Sequence, residues 1–249
     1  MNSVRRRELE YHEKLYSGFA QSHFARPAVR ALRRHMVDRI RELTGAGPES
    51  RVLSLGCGIG DTELLLAPHV AELTGVDLSP AAIRQARADA GALAIRNARF
   101  EEGGIGGIAE GRYDIVIAIF FLHHLPDDEL AALPHRLKDI LAPGGVFYSL
   151  DPSRHRLSGA VGRLLIPNLM KKYQTADERE LEPAATAELF RRAGLDARVE
   201  IYDFGSSPLA GLFPGWAAGY RMARAMDDRL LRVPLLRRRG SNFELIVRT

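Results

Sequence analysis

The sequence predicts an α/β fold: an open, mostly parallel sheet with helices on both faces. Three observations carry that expectation. Val52, Leu53 and Leu55, and again residues 113–121, form runs too continuously apolar for half-exposed strands, so both faces of those strands are buried. A turn holding Gly56, Gly58 and Gly60 follows the first run and leads straight into a helix. Strand-like and helix-like segments then alternate along the chain, as successive βαβ units do.

The elements follow in order. Residues 4–43 read as helices, because Leu9, Leu15, Tyr16 and Phe19, then Val29, Leu32, Met36, Ile40 and Leu43, recur at helical spacing. Pro27 starts the second helix, and the stretch from Thr44 to Pro48 stops it. We expect residues 1–43 to form an N-terminal helical cap over one sheet edge, beside the site. The first strand and its glycine turn come next, with Asp61 and Thr62 placed to cap a helix that runs to about His69. A second strand ends in Asp77-Leu78, and Ser79 caps the helix opening at Pro80. Residues 98–101 form a short third strand before a second glycine-rich loop, 102–107. Tyr113 to Phe121 is the clearest strand, central in the sheet. A helix over 127–141 stops at Pro143-Gly144-Gly145, and that turn feeds a fifth strand, 146–150. A helix from Glu182 to Gly194, a sixth strand over 197–204 and a seventh over 243–248 complete the core. Two segments stand outside this alternation, 151–183 and 205–241. Both carry apolar residues beside basic ones, Lys171 and Lys172 in the first and Arg237 to Arg239 in the second.

Composition narrows the function classes. The chain has 249 residues, 46% hydrophobic and 27% charged, which is ordinary for one globular domain with a core region at 48–150. The net charge is +4, with 35 Lys+Arg beside 31 Asp+Glu, so the basic residues read as solvated surface rather than a nucleic-acid footprint. The single cysteine, Cys57, excludes an internal disulfide framework and suits a reducing, cytoplasmic setting. Residues 1–10 lack a signal-peptide core, and no run reaches 18 uninterrupted apolar residues, so no membrane span is expected. Peripheral contact between 205–241 and a membrane surface stays open, with a structural helix the blander account.

The glycine turn sits where open α/β sheets bind ligands, at the carboxyl end of a strand. Its pattern is G-x-G-x-G rather than the dinucleotide G-x-G-x-x-G, and Asp61 stands where the third fingerprint glycine falls. A carboxylate there repels a pyrophosphate and suits an ammonium group. Asp77, 21 residues past Gly56, can accept hydrogen bonds from both ribose hydroxyls. A ribose joined to an amino-acid head fits both carboxylates.

On these residues the chain resembles the class I S-adenosylmethionine-dependent methyltransferases of small-molecule type. The resemblance extends to Asp114 opening strand four, to Leu122-His123-His124-Leu125-Pro126-Asp127, and to Leu137-Lys138-Asp139-Ile140-Leu141-Ala142-Pro143-Gly144-Gly145. It implies a Rossmann-like seven-stranded sheet whose last strand is antiparallel. It implies S-adenosyl-L-methionine as cofactor, S-adenosyl-L-homocysteine as product, and a site of Gly56, Cys57, Gly58, Gly60, Asp61, Asp77, Leu78, Gly104, Ile105 and Phe120. It also makes Tyr11, Tyr16, His23 and Arg26 candidates for the lid, and the two insertions the substrate side. One departure stands out. Gly104 holds the place of the acidic residue that normally accepts from the adenine amino group, so backbone around Gly104 and Ile105, or Glu101 or Glu102 in a shifted register, must serve instead.

Methyl transfer needs alignment above all, and a base only for some acceptors. His123, His124, Asp151 and His155 lie at the ends of strands four and five and are the candidates, with His123 favoured as the pocket residue. There is no N-P-P-[YF] motif, appended RNA-binding module or zinc cluster, and no metal is expected. The leading reading is methylation of an O, N or C atom of a small, apolar-leaning metabolite by a monomer or homodimer. The alternatives are an RNA or protein methyltransferase, or a cofactor-binding protein of the same fold with a non-methylating role.

Overall fold

The computed structural model of the chain describes residues 25–107, 113–156, 180–236 and 239–249. Seven strands form one sheet in the order β3-β2-β1-β4-β5-β7-β6. They are β1 (Arg51–Leu55), β2 (Glu72–Asp77), β3 (Ala98–Glu102), β4 (Tyr113–Ile119), β5 (Leu141–Pro152), β6 (Asp196–Asp203) and β7 (Asn242–Arg248). The pairs among β1 to β5 are parallel, and β7 runs antiparallel between β5 and β6. The strand order reverses between β1 and β4. Their carboxyl ends therefore flank the crevice where such sheets take ligands.

Alternate residues of the central strands enter two separate cores. Leu53, Leu55, Val116, Ala118 and Phe147 pack beneath helices α4 (Asp127–Ile140) and α5 (Pro183–Arg192). Val52, Ile115, Ile117, Val146 and Tyr148 pack beneath α1 (Pro27–Thr44), α6 (Ser206–Leu212) and α7 (Ala217–Leu230). This two-sided burial is why β1 and β4 read as unbroken apolar runs. Two short helices complete the frame, α2 (Glu63–Leu66) after the glycine turn and α3 (Pro80–Ala92) after β2.

Helix α1 begins as expected, with Pro27 in its first turn and a left-handed Gly45 donating its N–H to Arg41 O at 3.0 Å. Its position corrects one expectation. It lies across the face of the sheet against β5, α6 and α7, not along an edge, because Val29, Leu32, Met36 and Ile40 need a wide apolar surface. Its outward-leaning Arg39 reaches the buried carboxylate of Glu244 on β7, with Nε 3.0 Å from Oε1 and NH2 2.6 Å from Oε2. Tyr148 on β5 donates to the same carboxylate at 2.9 Å. Of the N-terminal cap, residues 1–24 lie outside the described residues, and so do the lid candidates Tyr11, Tyr16 and His23.

Two further differences concern the carboxyl half. Strand β5 starts at Leu141, before the Pro-Gly-Gly turn, because Leu141 pairs with Tyr113 across a register irregularity. Helix α6 went unread in the sequence. Its first turn is held by a distant carboxylate and a near one: Asp227 accepts from Ser206 N at 2.9 Å, and Asp203, at the end of β6, accepts from Ser207 N at 2.7 Å. Residues 157–179 and 237–238, within the two expected insertions, are outside the described residues.

Candidate cofactor and acceptor site

The glycine turn is pinned to β2 on one side and to β4 on the other. The N–H groups of Gly56 and Cys57 both donate to Val76 O. Gly56 takes φ 66°, and a Cβ there would fall 2.2 Å from Cδ2 of Phe121. Only glycine fits, on both conformational and steric grounds. Thr62 corrects an expectation: its hydroxyl caps nothing and accepts instead from Arg33 at 3.2 Å.

Asp77 joins the two loops that border the crevice. One carboxylate oxygen accepts from Gly58 N at 2.8 Å, the other from Ser79 N at 2.8 Å. Each oxygen keeps lone-pair capacity for a further donor, as a ribose diol requires. The helix-capping role falls to Ser79, which accepts from Ala82 N at 3.2 Å. Next to Asp77, Leu78 is 49% exposed and forms an apolar ledge. A Cβ on Gly104 would meet only Leu78 Cδ2, at 3.4 Å, and Gly103 faces open space. A flat ring has room there, with the backbone of Gly104 and Ile105 alongside. Glu101 and Glu102 are exposed on β3.

The amino-acid end of the site holds groups that the sequence pattern did not single out. Arg33 of α1 brings Nε within 2.6 Å of Asp61 Oδ2, an ion pair without linear hydrogen-bond geometry, so Asp61 is already matched to a cation. The same guanidinium lies over the Phe120 ring, 5.9 Å from its centroid. Phe120 itself holds φ 54°, a strained conformation for an aromatic residue, at the carboxyl end of β4. Beneath the turn, Glu63 is buried and accepts from Ser54 Oγ at 2.6 Å. Arg33 sits 28 positions before Asp61 (61 − 33), so spacing could not reveal it; only the fold joins them.

At the ends of β4 and β5 the structure joins two of the catalytic candidates. His123 Nδ1 lies 2.9 Å from Asp151 Oδ1, and the same oxygen accepts from His123 N at 3.3 Å. Asp151 has no exposure, and its Oδ2 has no hydrogen-bond partner among the described residues. His123 is buried, whereas His124 is half-buried with its ring centroid 4.0 Å from that of His123. His155 turns away to Glu182, at 3.4 Å.

These residues fit the cofactor that the glycine turn implies: a turn closed to a side chain at Gly56, a carboxylate with spare acceptor capacity for a diol, an open ledge for a flat base, and a buried carboxyl, Glu63, beside the Asp61–Arg33 pair for a charged head. The fold and the turn are those of the class I S-adenosylmethionine-dependent methyltransferases. The sequence profile of a family described as "Methyltransferase domain" matches residues 52–145. A ubiquinone biosynthesis O-methyltransferase of Marinobacter nauticus is 27% identical over 210 residues, covering 82% of each chain. Its counterpart in Bordetella avium is 30% identical over 165 residues, 63% of this chain and 66% of that one. Among solved structures, a DhpI-SAM-HEP complex superposes with a TM-score of 0.63 at 17% identity, covering 100% of this chain and 99% of that one.

Proposed function

We propose that the enzyme methylates a hydroxyl oxygen on a small, largely apolar acceptor, with His123 as the base and Asp151 as its positioning partner. The observation that carries this reading is the His123–Asp151 pair at the crevice. A carboxylate on Nδ1 fixes the tautomer with the proton on that nitrogen, leaving the Nε2 lone pair to take a proton from a hydroxyl. The two relatives bear the names of O-methyltransferases, in keeping with an oxygen acceptor.

The bound cofactor supplies a methyl group on a positively charged sulfur. The chain's own residues do the rest. Asp77 would accept from the ribose hydroxyls, Leu78 and the backbone at Gly104 and Ile105 would take the adenine, and the backbone of the turn at Gly56, Cys57, Gly58 and Gly60 would border the ligand. Asp61 and Arg33 hold the amino-acid head. His123 Nε2 would take the proton from the acceptor hydroxyl, leaving an oxygen nucleophile for the methyl group that the cofactor would supply. We take the enzyme to act in the cytoplasm as a monomer or homodimer; no helix among the described residues is long and apolar enough to cross a membrane.

The test is methyl transfer from labelled donor into an extract split into small-molecule, protein and nucleic-acid fractions. Label in the apolar small-molecule fraction that withstands alkali and is released as methyl iodide by hydriodic acid, as a methyl ether requires, supports the reading. Label confined to protein or RNA overturns it.

A further inference from the structure

We propose that Glu63 is a proton-linked counter-charge beneath the glycine turn, which makes the site favour the positively charged methyl donor over its neutral-sulfur product as the pH rises. The inference rests on the cofactor class and is independent of the acceptor.

Geometry comes first. Glu63 opens α2, directly after the turn, and is 2% exposed. Its Oε1 takes one hydrogen bond, from Ser54 Oγ on β1 at 2.6 Å. Its Oε2 is buried with no hydrogen-bond partner among the described residues. A buried carboxylate with so few donors is costly to ionise, so a positive ligand at the turn would favour its ionised form.

The surrounding charges do not match it. Arg33 from α1 opposes it at a distance, but its guanidinium is engaged with Asp61 at 2.6 Å. Asp61 and Cys57 belong to the turn, and Asp77 of β2 faces Cys57 from the other side. Burial first, then Asp61, push the Glu63 carboxyl up to about 7, against the pull of Ser54, of the Glu63 backbone N–H and of Arg33. The group therefore titrates across the neutral range.

A cation arriving at the turn favours the ionised form, so binding expels a proton. By linkage, raising the pH must then raise affinity for that cation. Donor and product share the ribose and the amino-acid head, whose own amino group titrates in both. Only the donor carries charge on sulfur, so the ratio of the two affinities reports the groups that sense that charge, and the Glu63→Gln comparison assigns the share of Glu63.

The experiment is titration calorimetry of the donor and of S-adenosyl-L-homocysteine at pH 6, 7 and 8, in pairs of buffers differing in ionisation enthalpy. The expected result is a donor-to-product affinity ratio that rises roughly 3- to 10-fold between pH 6 and 8, with more protons released by the donor. In Glu63→Gln the ratio becomes flat and the extra proton release disappears. Ser54→Ala gives a second reading: loss of the hydrogen bond that favours ionisation moves the midpoint of the ratio to higher pH. A Glu63→Gln protein that retains the wild-type slope overturns the proposal. If that variant fails to fold, a Ser54→Ala midpoint equal to that of wild type overturns it as well.

Discussion

His123 and Asp151 meet at 2.9 Å across the gap between β4 and β5, although 28 positions separate them in the chain. The parallel pairing of Ile119 with Leu150 brings their strand ends level, so the contact follows from register. Asp151 also accepts from the His123 backbone, which ties the imidazole plane to the loop as well as to the strand. Asp151→Asn keeps the shape and removes the charge that fixes the tautomer. Steady-state kinetics should show kcat down about 100-fold with donor affinity nearly unchanged. His123→Asn should lower kcat at least as much, again with donor affinity nearly unchanged. Wild-type kcat in either variant would show that the acceptor needs no base and that the dyad is architectural.

How much of this was legible in the sequence depended on the range of the interaction. The glycine turn, Asp77 and the Ser79 cap are built within a few residues or a single βα unit, so their patterns survive in the linear order. The expected strands match the observed ones within a few residues, because two-sided burial writes itself into consecutive positions. Arg33, Phe121 and Glu63 were missed for a different reason. Arg33 comes from α1, and its contact with Asp61 exists only once the helix lies across the sheet face. Phe121 matters because its ring fills the space that a Gly56 side chain would need. Glu63 looks like any acidic residue in a first helical turn until burial removes its solvent. Helix α6 was hidden in part for the same reason, since Asp227, which holds its first turn, belongs to α7.

Asp77 offers a direct test of the cofactor frame. Its two oxygens hold Gly58 and Ser79 at 2.8 Å each, so the residue shapes the turn and remains available to a diol. Asp77→Ala removes both functions. We expect at least a 10-fold loss in donor affinity by calorimetry, equivalent to about 1.4 kcal/mol, with a smaller loss in thermal stability. Affinity equal to that of wild type would exclude Asp77 as the ribose partner.

The Arg39–Glu244 pair predicts a stability effect far from the crevice. Glu244 is fully buried, and burial raises its carboxyl above the ordinary range despite the pull of Arg39 and Tyr148. Arg39→Met strands the carboxylate and should cost about 3 kcal/mol in chemical denaturation at pH 8. Combining it with Glu244→Gln should recover part of that loss, because the stranded charge is gone. Additive losses in the double variant would show that the two groups do not act as a pair.

Glu63 makes a separate prediction for the cofactor-free protein. An ordinary glutamate titrates at 4.5, and in the fold this one is held at about 7. Below pH 4.5 the carboxyl is neutral in folded and unfolded chains alike, and its site costs nothing. Between 4.5 and about 7 the unfolded chain ionises while the folded one does not, so stability falls as the pH rises. Above about 7 both forms are ionised, and the penalty holds level at about 3 kcal/mol. Glu63→Gln removes this slope while keeping an acceptor for Ser54. Urea unfolding at pH 5 and pH 8 should therefore show the variant gaining on wild type by 1–3 kcal/mol across that interval, on the order set by the linkage. A constant difference between variant and wild type at the two pH values would mean that Glu63 ionises in the fold as it does in the open chain.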